Sequence, residues 1–139
     1  MDDTVLHVQI AEDSPRIRDL LLDQLAHLPG VRVTAASRTA EEALRCLREA
    51  PPDLLVLDLQ LEQSSALDVM RELRSAARRP CVAVLTNHAD PETREACEAA
   101  GASYFFDKSA DFDRFLETVR ALARARTVHP ADPVDSGSL

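Results

Sequence analysis

Asp58 closes a run of four apolar residues, Leu54–Leu57, with no polar alternation. Such a run predicts a strand buried on both faces, as in a parallel sheet covered by helices. The carboxyl end of such a strand is where ligands bind in open α/β sheets, so Asp58 is a candidate nucleophile or metal ligand. Alone, it would more readily be read as a residue that caps or turns the next loop. Other polar groups change that ranking. Glu12 and Asp13 follow the apolar stretch 4–11, Thr86 follows 81–85, and Lys108 closely follows 103–106.

If those stretches are strands of one parallel sheet, their ends share a rim, and three carboxylates, a hydroxyl and an ammonium group converge there. Two carboxylates ~4 Å apart repel by roughly 4 kcal/mol at an effective dielectric of 20. Three are tolerable only with a cation between them or with a shared proton. Oxygen-only ligands with open positions suit Mg²⁺. Such a site, screened by the metal, favours attack of Asp58 on a phosphoryl group and its storage as an aspartyl-phosphate. Lys108 and Thr86 are then placed to contact the phosphoryl oxygens.

The elements that must position these groups are legible in order. After the first strand, Ser14-Pro15 supplies an N-cap and a proline at the first helical position. Ile17, Leu20, Leu21, Leu25 and Leu28 follow at helical spacing, and Pro29-Gly30 stops the helix. Residues 31–36 form a short second strand. Thr39 and Glu42 have capping-box spacing and open a helix with Ala43, Leu44 and Leu47 inward. Pro51-Pro52 delivers the chain to the strand ending at Asp58. Ser65 and Asp68 repeat the capping-box spacing before a third helix carrying Ala66, Val69, Met70 and Leu73. Asp90-Pro91 opens a fourth helix with Ala96, Cys97 and Ala100 inward, closed by Gly101. Phe112, Phe115, Leu116, Val119 and Leu122 mark a final amphipathic helix to about Arg126. Five strands alternating with five helices imply a doubly wound, five-stranded parallel sheet with right-handed crossovers. One domain over residues 1–126 is expected, and 127–139 shows no pattern and reads as a mobile tail.

Composition narrows the function classes. The 139 residues suffice for one core, and 45% hydrophobic with 29% charged residues is ordinary for a globular protein. No apolar run approaches membrane-spanning length, and no signal-peptide pattern opens the chain, so a cytoplasmic protein without membrane insertion is expected. Cys46, Cys81 and Cys97 lie in apolar patterns and read as buried free thiols. Against 24 acidic side chains stand 16 basic ones, and the net charge of -8 argues against direct nucleic-acid binding. Fifteen of those 16 are arginine, which singles out Lys108 as a place where a compact point charge is needed. The Arg-rich stretch 71–79 reads as a solvated helix face, and the four histidines show no ligand spacing.

Glu12-Asp13, the Leu-Leu-Val-Leu-Asp58 strand, Thr86, and Gly101-Ala-Ser with Lys108 together resemble the receiver domain of bacterial two-component response regulators. The likeness covers about residues 4 to 126 and includes spacing as well as residue types. It implies a flavodoxin-like strand order 2-1-3-4-5. It further implies Asp58 as phosphoacceptor, with Mg²⁺ held by Asp13, Asp58 and the backbone carbonyl of Gln60, and by Glu12 through water. Thr86 and Phe105 occupy the switch pair, and Lys108 is the phosphate-contacting lysine. The expected partners are a sensor histidine kinase or a histidine phosphotransfer protein in a phosphorelay, and an output protein of unknown identity. The protein would be a single-domain, chemotaxis-regulator-like switch, with no enzymatic activity beyond its own phosphorylation and dephosphorylation. The usual output face, made by helix four, strand five and helix five, carries Arg94, Glu95, Tyr104, Asp107, Arg120 and Arg124, suited to homodimerisation or to docking a partner.

Several positions depart from the family pattern. The acidic pair is Glu-Asp where Asp-Asp is commoner. Glu62 stands where proline is frequent, and Ala66 where glycine is usual. Ser109 follows the lysine where a cis proline is common; cis before serine costs about 3 kcal/mol, so a trans bond is expected. Phe105 lacks a phenol, so burial alone would govern its position. These departures keep a phosphorylation-independent interaction module as the alternative. An FMN carrier would need a phosphate-cradling loop where Glu12-Asp13 stands. A haloacid-dehalogenase-type phosphatase would need an aspartate where Gln60 stands.

Overall fold

A computed structural model describes residues 4–61, 66–87 and 89–128 of the chain. The elements run β1 (Leu6–Ala11), α1 (Pro15–Ala26), β2 (Val31–Ser37), α2 (Ala40–Glu49), β3 (Leu54–Leu57), α3 (Ala66–Leu73), β4 (Cys81–Thr86), α4 (Pro91–Ala99), β5 (Tyr104–Asp107) and α5 (Phe112–Val128). All neighbouring strands pair in parallel, in the order β2-β1-β3-β4-β5. Helix α5 runs past the expected Arg126 to Val128. Of the expected tail, 129–139 lies outside the described residues, as do Glu62 and Ser65.

The helix starts follow local chemistry. Ser14 Oγ accepts from the Ile17 N–H, Thr39 Oγ1 from Glu42 and Asp90 Oδ1 from Thr93, so each polar side chain satisfies an otherwise orphaned donor. The reciprocal arm of the capping box at Thr39 differs from expectation. The Glu42 carboxylate accepts from the Arg38 N–H, one residue earlier. Gly101 takes a φ of 108°, a conformation that disfavours any side chain, and turns the chain from α4 into β5.

Two apolar layers sandwich the sheet. One gathers Leu21 and Leu25 of α1 with Phe115, Val119 and Ala123 of α5. The other gathers Ala43 and Leu47 of α2 with Val69, Met70 and Leu73 of α3, Cys97 of α4 and Phe105. Every residue of β3 and β4 is buried, which explains why neither strand alternates in polarity. Two helical positions differ from the periodic expectation. Leu20 is 43% exposed, and Ala96 faces outward. In each helix a neighbouring position, Leu21 or Cys97, fills the inward site. Cys81 and Cys97 are buried free thiols, whereas Cys46 is only half-buried.

At the amino end of β3 the buried Asp53 gathers an ionic cluster. Its Oδ1 receives Nη2 of Arg126 at 2.6 Å and Nη2 of Arg78 at 3.1 Å. Its Oδ2 receives the backbone N–H of His7 at 2.9 Å, with His7 Nδ1 3.5 Å away. Arg78 is therefore more than part of a solvated face, because one end of it ties the α3–β4 connection to β3. Arg126 ties the last turns of α5 to the same carboxylate.

Candidate functional site

The backbone ladder extends past the strand ends and sets the rim. The N–H of Glu12 donates to Ser37, that of Asp58 to Ala11 and that of Lys108 to Thr86, each to the carbonyl oxygen at 2.9 Å. Each of these residues is thus an extra rung, held by main-chain bonds before its side chain makes any contact.

The side chains converge. One carboxylate oxygen from each of Glu12, Asp13 and Asp58 lies within 4.8 Å of the other two. Glu12 and Asp58 are almost wholly buried, and Asp13 is half-buried. Lys108 Nζ reaches between two of the acids, 3.0 Å from Glu12 Oε1 and 3.4 Å from Asp58 Oδ2. The Gln60 N–H donates to Asp58 Oδ1 at 3.2 Å, and the Ser14 N–H to Glu12 Oε2 at 3.1 Å. Burial, reinforced by the charge of Asp58, pushes the Glu12 carboxyl up to about 7, against the pull of Lys108 and the Ser14 N–H. A carboxyl that resists ionisation here reports an excess of negative charge in a dry site. Three acids against one ammonium leave room for a hard divalent cation, and an all-oxygen donor set suits Mg²⁺.

Thr86 is fully buried beside β5, in register with Asp107. Phe105 is 5% exposed and packs into the layer of α2, α3 and α4. Among the described residues no peptide bond is cis, so the Lys108–Ser109 bond is trans as expected.

The turn that carries Lys108 is braced by two aspartates: Asp107, expected from the sequence only as part of the output face, and Asp111, which the sequence reading does not single out. Asp107 Oδ1 accepts from the Ser109 and Ala110 N–H groups at 2.7 and 2.9 Å, and Asp111 Oδ2 accepts from the Asp107 N–H at 2.9 Å. The bonds that its carboxylate accepts from the Ala110 and Ser109 N–H groups hold the Asp107 carboxyl below its ordinary range. The available signal was Asp107-x-x-x-Asp111 at a strand-to-helix junction, a spacing suited to turn capping.

Comparisons with known proteins place the chain in a family and confirm its fold. The family model of the response regulator receiver domain matches residues 8–120, and the chain belongs to that family. A transcriptional regulatory protein KdpE of Mycobacterium tuberculosis is 36% identical over 120 residues, covering 86% of this chain and 52% of its own. A protein-glutamate methylesterase/protein-glutamine glutaminase of Myxococcus xanthus is 30% identical over 138 residues, covering 92% of this chain and 39% of its own. The chain thus spans about half, or less, of the length of these relatives. Among solved structures, a LuxR-family two-component response regulator from Aurantimonas superposes with a TM-score of 0.79 at 26% identity, over 88% of this chain and 87% of its own. The response regulator domain of Thermotoga maritima CheB shares the fold at a TM-score of 0.73 and 21% identity, over 93% and 99% of the two chains. Among the described residues no helix is long and apolar enough to cross a membrane.

Proposed function

We propose that the chain is a phosphorylation-dependent switch that receives a phosphoryl group on Asp58 from a phosphohistidine of a sensor kinase or phosphotransfer protein. The observation that carries this reading is Lys108 Nζ, seated between Glu12 and Asp58 beside a cluster of three carboxylates. An Asp58 oxygen attacks the phosphorus, a P–O bond forms, the P–N bond breaks, and the imidazole nitrogen leaves with the electron pair. Asp13, Asp58 and the Gln60 carbonyl would hold Mg²⁺, with Glu12 acting through water; the ion supplies charge neutralisation for the incoming phosphoryl oxygens. Lys108 offers an ammonium to one of those oxygens, and the Thr86 hydroxyl is the candidate donor to another. The Gln60 N–H fixes the Asp58 rotamer, so the attacking oxygen is oriented before the donor arrives.

The reading extends to output. Phosphorylation would draw Thr86 toward the phosphoryl group and alter the surface of α4, β5 and α5, where a partner or second copy would dock. The receiver would act as an independent unit, a reading supported by the two apolar layers that its own strands and helices build on either side of the sheet. Its own phosphorylation and dephosphorylation are the only reactions assigned to it.

Incubation with Mg²⁺ and acetyl phosphate should give an acid-stable, base-labile phosphoprotein in the wild type and none in Asp58→Ala. Equal labelling of the two proteins, or none in either, would sink the assignment and favour an interaction module that works without phosphorylation.

A further inference from the structure

Helix α4 is the most lightly anchored of the helices on its side of the sheet. Along Pro91–Ala99 only Cys97 is buried, whereas α3 buries Ala66, Val69, Met70 and Leu73. A second contact of α4 with β5 comes from an exposed residue. The guanidinium carbon of Arg94 lies over the Phe105 ring, 4.8 Å from its centroid. Arg94 borders a groove of about 300 Å³ shared with Glu98, Phe105, Arg114 and Thr118. Although Glu98 stands one turn further along α4, no carboxylate among the described residues forms an ion pair with Arg94. In a chain with a net charge of -8, this cation rests on an aromatic face in preference to an acid.

The position of this contact couples it to the rim. Phe105 pairs with Val84 on β4, and Val84 pairs with Leu57, the residue before Asp58. Two residues after Val84 comes Thr86, whose strand ends just before the short connection into α4. Any movement of Thr86 toward a group on Asp58 therefore pulls on the start of α4. Because Phe105 has no hydroxyl and is buried, no hydrogen bond rewards the ring for turning outward. The ring is the fixed side of the contact, and α4 with its arginine is the movable side.

We propose that Arg94 is a positioning residue whose guanidinium, lying on the Phe105 ring, latches α4 against β5 in the unphosphorylated protein and is released when Asp58 is phosphorylated. The proposal rests on the reading of Asp58 as phosphoacceptor. A cation–π contact at an exposed site shifts an equilibrium by about two- to fivefold. A latch that favours the resting arrangement must weaken ligands of the other arrangement by the same factor.

The test uses the full chain with Mg²⁺ and beryllofluoride as the phosphoryl stand-in. The Nε–H resonance of Arg94 should show an upfield ring-current shift in the free protein and lose it on saturation. Calorimetry should give about two- to fivefold tighter beryllofluoride binding in Arg94→Met, and a smaller gain in Arg94→Lys, whose ammonium stacks less well. Phe105→Leu should give a similar gain, and the double variant no more than either single one. An Arg94 resonance that stays shifted at saturation, or an Arg94→Met affinity equal to or weaker than the wild type's, overturns the latch. Absence of any beryllofluoride-induced shift, at the rim amides as well as at Arg94, removes the phosphoacceptor reading and the latch with it. Failure of the latch alone leaves the rim shifts intact.

Discussion

Strand β3 bears a buried aspartate at either end, each 3% exposed, and the two keep opposite company. Asp53 is surrounded by donors: the guanidinium groups of Arg126 and Arg78, and the backbone and ring nitrogens of His7. Among the described residues Asp58 pairs with one cation, Lys108, which it shares with Glu12, and a third carboxylate stands alongside. At the first end, positive charge and hydrogen bonds exceed what one carboxylate needs. At the second, negative charge exceeds what one ammonium can balance. The same residue type, equally buried on one four-residue strand, is thus a fastener in one place and an unfilled electrostatic demand in the other. Burial alone does not separate structural from chemical carboxylates; the balance of charge around them does.

That contrast can be broken by substitution. Asp53→Asn should destabilise the protein by about 3 kcal/mol in urea unfolding, because the buried Arg126 guanidinium loses its counter-charge. A cost under about 1 kcal/mol would mean that Arg126 simply turns to solvent. The next largest effect concerns pH. The Glu12 carboxyl keeps its proton up to about 7 in the folded chain, against 4.5 in the unfolded one. Between those values the folded state binds more protons, so stability of the metal-free protein should fall as pH rises, by roughly 3 kcal/mol across the window. Glu12→Gln should flatten that part of the profile, and an unchanged slope would assign it to other groups. The smallest expected effect has the opposite sign to the first. Asp58→Asn removes one carboxylate of the cluster and should raise metal-free stability by about 1 kcal/mol. Destabilisation by both asparagine substitutions would erase the distinction between the two ends of β3.

Much of the architecture is legible because its causes are local. Ser14, Thr39 and Asp90 are recognisable as caps because each satisfies a donor three residues away. The unbroken apolar runs of β3 and β4 announce strands covered on both faces. The rim was readable as well, since Glu12, Asp13, Asp58, Thr86 and Lys108 all stand at strand ends, and a parallel sheet brings those ends together. Leu20 and Ala96 misled because periodicity names a stripe of positions, while the width of the stripe depends on the facing surface. Ala96 and Cys97 are both apolar neighbours, and only packing against β4 and β5 selects between them.

Asp53 lies beyond such reasoning. Its partners are 25, 46 and 73 residues away in the chain, and nothing in Pro52-Asp53 indicates which of 15 arginines will reach it. Arg94 on Phe105 is of the same kind, as an exposed helical arginine looks like any other until a ring is found beneath it. The sequence by itself determined the order of elements and the residues of the acidic rim, because patterns of burial and capping act over a few residues. Only the tertiary structure decided how the two ends of β3 differ, because charge balance around a buried carboxylate depends on groups that the chain brings together from everywhere.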